Sequence, residues 1–78
     1  MAHAIVPNRF YVYVHSRLDT GEPFYVGKGA GKRATACARR SDYWKRIVER
    51  HGFVNTYVAR NLDEEFAFLL EVELIDKY

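Results

Sequence analysis

The residues best suited to chemistry on an anion are concentrated in FYVGKGAGKR, Phe24 to Arg33. There Gly27, Gly29 and Gly31 alternate with Lys28, Lys32 and Arg33 behind an apolar run. Such loops let a backbone approach phosphate oxygens while cations neutralise them. A Walker loop would need Gly five residues before Gly31 and Ser or Thr after Lys32, but Val26 and Arg33 stand there. A dinucleotide fingerprint would need Gly at position 32 within a parallel βαβ unit, and Lys32 occupies it. Both nucleotide readings fail on spacing, which leaves another phosphate chemistry or a plain strand-to-helix connection.

A second candidate lies near the C-terminus. Winding NLDEEFAFLLEVELIDKY at helical pitch puts Glu65, Glu73 and Asp76 on a wet face. Glu71 falls instead on an arc with Ala67, Phe68, Leu74, Ile75 and Tyr78, an apolar surface expected to face a sheet. A lone carboxylate there costs several kcal/mol unless it is compensated. Two readings stay open: an ion pair with an Arg, or a ligand for a hard cation such as Mg²⁺ or Mn²⁺.

The elements that must position these groups follow from local signals. Residues 1–8 read as a lead-in before a single domain over 9–78. RFYVYVHS and FYVG flank the turn LDTGEP, predicting a β-hairpin in which Gly21 takes a positive φ. Alanines 34, 36 and 38 predict a short helix over Lys32 to Arg40. Ser41 then caps a helix through DYWKRIVERH, with Tyr43, Trp44, Ile47 and Val48 apolar and Gly52 ending it. FVNTYVAR predicts a third strand, and Asn61 with Glu64 resembles a capping box opening the last helix. The expected class is α+β, a small three-stranded antiparallel sheet flanked by helices in the order β-β-α-α-β-α.

Charge is segregated. Between Lys28 and Arg50 stand eight Lys or Arg against Asp42 and Glu49, whereas Leu62 to Tyr78 holds six acids and one Lys. A basic middle suggests an anionic partner bound there. One cysteine, Cys37, excludes an intrachain disulfide and a Cys-based zinc site. With no apolar run of membrane-spanning length and no secretory leader, the expected location is cytoplasmic, without a membrane partner.

YVYV, then YVGKG after a hairpin, then Arg33, then Glu71 ahead of LIDKY together resemble the GIY-YIG nuclease domain over Phe10 to Tyr78. Tyr11-Val12-Tyr13 stands for the first name-giving triplet and Tyr25-Val26-Gly27 for the second. The Gly-Lys-Gly extension resembles one branch of the family. The resemblance implies a DNA endonuclease that hydrolyses phosphodiester bonds with one Mg²⁺ or Mn²⁺. Tyr13 and Tyr25 would face the scissile phosphate, one of them as general base. Since tyrosine ionises near ~10, positive charge from Lys28 or the metal would have to favour the phenolate. Arg33 would grip the phosphate through its bidentate fork, and Glu71 would hold the metal.

Tyr11 shares a strand face with Tyr13 and is the alternative active-site tyrosine. Gly27, Lys28, Gly29, Lys32, Arg39 and Arg40 are expected along the DNA, with the glycines letting its backbone come close. Trp44 and Tyr43 read as core, and His15 as solvent-facing. The family often places a His where Cys37 stands, so this chain would do without it or use His15 or His51. The family also continues to a supporting Asn, whereas this sequence ends at Tyr78. Two expectations stand open, a domain truncated at its C-terminus or one that has dispensed with that residue, and in either DNA binding can persist without cleavage. Specificity would come from a homodimer or a separate targeting partner.

Overall fold

A computed structural model describes residues 9–77; the lead-in and Tyr78 lie outside the described residues. The order is strand β1 (Phe10–Arg17), strand β2 (Pro23–Gly29), a single 3₁₀ turn (Arg33–Thr35), helix α1 (Asp42–His51), strand β3 (Phe53–Leu62) and helix α2 (Glu64–Lys77). The class is α+β, an antiparallel sheet ordered β2-β1-β3 with two helices.

β1 is central, so its alternating side chains divide the molecule into two cores. Val12 and Val14 join Val26 and Ala67 under α2, with Leu70 and Leu74 packed against them. Tyr11 and Tyr13 face the other way, with Ala34, Tyr25 and Tyr57. In the β1–β2 register Tyr11 opposes Gly29, Tyr13 opposes Gly27 and His15 opposes Tyr25.

The hairpin forms as expected, with Gly21 at φ 79°. A register shift beside Pro23 accommodates a residue that cannot donate to a ladder. Ser41 caps α1 by accepting from the Trp44 amide at 3.1 Å, and Gly52 ends it at φ 69°. Arg17 and His51 converge on Asp19, at 2.8 and 2.9 Å, tying the end of α1 to the hairpin turn.

Four expectations are corrected. The helix over Lys32 to Arg40 shrinks to the 3₁₀ turn, because so short a run closes too few of its own hydrogen bonds to offset nucleation. The cap of α2 is Asp63, whose carboxylate accepts from the Phe66 amide at 2.7 Å; Asn61 sits upstream at φ 59°, where β3 shifts register. α2 turns Ala67, Leu70 and Leu74 inward, leaving Phe68 and Ile75 more than half exposed. Tyr43 is exposed while Trp44 is buried.

Candidate active site

The tyrosine face is assembled from the β1–β2 ladder outward. Gly27 and Gly29 lie directly opposite Tyr13 and Tyr11. A Cβ at Gly29 would stand 2.8 Å from the Arg33 Cβ and 3.3 Å from the Tyr11 ring. A Cβ at Gly27 would collide with the Tyr13 phenol. The YVGKG spacing therefore makes room for this chain's own tyrosines and arginine, in place of the DNA backbone that the sequence suggested.

Tyr11 braces the glycine loop. Its hydroxyl donates to the Gly31 carbonyl at 2.7 Å and accepts from the Ala34 amide at 2.9 Å. That occupation leaves Tyr13 as the better candidate of the pair. The Tyr13 ring lies 6.1 Å from that of Tyr25, and its hydroxyl accepts from Arg40 at 3.1 Å. The Tyr13 proton makes no hydrogen bond to a described residue. Burial pushes the Tyr13 phenol up, with the Arg40 hydrogen bond opposing and the Arg33 charge assisting in that opposition. Tyr25 is half-buried and more open to solvent.

Arg33 packs its stem over Gly29 and donates to the Ala38 carbonyl at 3.3 Å. Arg40 is buried against Tyr13, Tyr25 and Trp44, its guanidinium carbon 5.2 to 5.7 Å from the ring centres. Neither guanidinium has an ion-pair partner among the described residues. Two uncompensated cations beside two phenols favour an anion at this face.

His15 anchors the same surface from within. Its Nδ1 accepts from the Trp44 indole at 2.9 Å, so Nε2 carries the proton and donates to the Ala34 carbonyl. Burial holds the His15 imidazole below its ordinary value. The expectation that His15 faces solvent is corrected: it is fully buried, locked neutral between β1, the 3₁₀ turn and α1. His51 is engaged with Asp19 at the hairpin, and Cys37 is exposed.

The remaining candidates divide. Lys32 and Arg39 are exposed near Arg33, with Arg39 at φ 62°. Arg40 is turned inward and is unavailable as an outer contact. Lys28 is not with the tyrosines: β2 alternation sends it to the α2 side, where it meets Glu64 at 3.6 Å and the Phe10 ring. It therefore cannot supply the charge expected to favour a phenolate.

Glu71 rides on α2, half-buried and without an ion pair among the described residues, so the anticipated Arg partner is absent there. α2 covers the opposite sheet face, but its end reaches the β2 edge. Ile75, one turn beyond Glu71 on the same helical face, lines a cleft of about 490 Å³ together with Phe24, Tyr25, Tyr43 and Ile47. No cluster of three or more His, Cys, Asp or Glu occurs among the described residues. Glu71 is thus a single carboxylate on the helix that covers the face opposite the tyrosines, and no second acidic or His ligand joins it in such a cluster among the described residues.

Sequence reasoning missed Arg40 and His15 as interior residues. Period-two alternation from Tyr11 and Tyr13 put His15 on their face; Arg40 carried no such signal. No helix of the described residues is long and apolar enough to cross a membrane. No family model, curated protein or solved structure matches this chain.

Proposed function

We propose that the chain is a metal-dependent endonuclease that hydrolyses DNA phosphodiester bonds on its tyrosine face, with the GIY-YIG resemblance supplying the reaction class. The observation that carries this reading is the convergence of Tyr13, Tyr25 and Arg33 beside a second guanidinium with no carboxylate to neutralise either cation. Arg33 grips the phosphate and stabilises the charge that develops on it. Tyr25, at the open side, orients or deprotonates the attacking water, while buried Tyr13 supports it from within. Glu71 would hold Mg²⁺ or Mn²⁺; when bound, the ion polarises the phosphate and stabilises the leaving oxygen. Lys32 and Arg39 extend the electrostatic footprint along the DNA, and a second copy or a targeting partner would set specificity.

A second reading, DNA binding without cleavage, is favoured by one feature: Tyr13 is fully buried, which disfavours its phenolate. Incubating supercoiled plasmid with the protein and Mg²⁺ or Mn²⁺ separates the two. The nuclease reading expects nicking that Arg33→Ala and Glu71→Gln lower by roughly a hundredfold. Equal nicking by all three proteins overturns the assigned roles. Salt-sensitive DNA binding with no nicking selects the binding module.

A further inference from the structure

Arg40 is buried to 6% exposure with no carboxylate in ion-pair range among the described residues, an arrangement that is expensive unless its hydrogen bonds are well satisfied. It spends them on three partners. Nε donates to the Ala36 carbonyl at 2.9 Å, one terminal nitrogen to the Arg33 carbonyl at 2.6 Å, and the other to the Tyr13 hydroxyl at 3.1 Å. The guanidinium also lies against the rings of Tyr13, Tyr25 and Trp44.

Two consequences follow from that geometry. Because Arg40 takes a lone pair of the Tyr13 oxygen, the phenol proton points elsewhere, and it makes no hydrogen bond to a described residue. Because the same planar group holds the Arg33 carbonyl, it sets the spacing between β1 and the 3₁₀ turn. A lysine ammonium lacks the fork to serve both partners in fixed directions.

We infer that Arg40 is the positioning residue of this site, holding the buried Tyr13 hydroxyl and the Arg33 backbone in one arrangement, so that the Arg33 side chain and the more open Tyr25, whose ring Arg40 also meets, address the same phosphate. The inference rests on the nuclease reading for the identity of that phosphate, but the brace itself is tested without cleavage. Arg40 acts through Tyr13 and Arg33 and does not itself meet the substrate.

The test uses the full chain and its Arg40→Met, Arg40→Lys and Tyr13→Phe variants. Tyrosinate absorbance is followed against pH, with Tyr13→Phe identifying the Tyr13 component. In Arg40→Met the Tyr13 phenol ionises at higher pH, because the hydrogen bond and charge opposing burial are gone, and Arg40→Lys falls between. An unchanged Tyr13 titration in a folded Arg40→Met protein overturns the inference. Should Arg40→Met not fold, nitrogen-15 spectra of the Arg40 side chain decide: Tyr13→Phe, which removes one oxygen, should speed exchange of its N–H protons. Unaltered exchange overturns the brace.

Nicking adds a second readout. Arg40→Met should lower kcat roughly ten- to hundredfold with KM little changed, and Arg40→Lys should recover part of the loss. A titration shift in a chain that nicks no plasmid removes the nuclease reading and supports the brace; full nicking by Arg40→Met overturns the positioning role.

Discussion

The phenol of Tyr13 occupies the space that a side chain at Gly27 would need: a Cβ there would stand 2.5 Å from both Cζ and the hydroxyl oxygen. The obstructing group is a fully buried ring, not the end of a flexible chain. Gly27→Ala should therefore cost about 1 to 3 kcal/mol by overpacking, read by urea denaturation. Gly31→Ala, with open space around it but φ 62°, should cost about 1 kcal/mol from backbone strain. Equal costs would mean that the Tyr13 contact does not constrain position 27.

Gly29→Ala should separate function from stability. Its new methyl meets the Arg33 Cβ at 2.8 Å and Cγ at 2.9 Å, which only a shift of the 3₁₀ turn can relieve, and that turn borders solvent at Lys32 and Thr35 whereas the Tyr13 ring is enclosed. Nicking should fall roughly tenfold or more as Arg33 is displaced, with the melting temperature lowered less than in Gly27→Ala. A variant that nicks like the parent would show that Arg33 tolerates the shift.

Lys28→Ala should leave plasmid nicking within about threefold of the parent, since its ion pair with the exposed Glu64 is screened by solvent and the tyrosines lie across the sheet. A hundredfold loss would return Lys28 to the site.

His15 predicts the sense of the acid response. Its folded-state value lies below the ordinary 6.5, so the unfolded chain binds the proton more readily. The stability contributed by neutral His15 is present above about 6.5 and is lost as pH falls below it. Protonation would also set an N–H against the Trp44 indole donor. Denaturation midpoints should drop between neutral pH and pH values near ~5, a drop that His15→Phe should flatten. Trp44, the only tryptophan, reports the change by fluorescence. The Asp19 carboxyl is held far below its ordinary value by Arg17 first and by His51, so its contribution is lost only at lower pH still.

What the sequence disclosed was local. The hairpin turn, Ser41 as a cap and Gly52 as a stop each depend on a few adjacent residues, and each forms as read. The period-two pattern of β1 also correctly paired Tyr11 with Tyr13 on one face. What stayed hidden depends on distant partners. An arginine just before a helix reads as surface, and only the rings of Tyr13, Tyr25 and Trp44 make an interior for Arg40. The helical wheel misassigned Phe68 and Ile75 because α2 is apolar on most sides, so no single stripe singles out the buried one. Alanines argued for a helix after Lys32, but side chains from β1 hold the Ala34 amide and carbonyl that a helix would use.

That hold has a kinetic meaning. Segment 33–40 is secured by Tyr11, Tyr13 and His15 across sequence separations of 19 to 27 residues, with one short turn of its own. Such non-local closure brings its reward only after the sheet exists. The segment carrying Arg33 and Arg40 is thus expected to lock last during folding and to open first in the native state, so the Ala34 amide should exchange with solvent ahead of the β1 amides. The molecule would assemble its reactive surface as the closing event of folding.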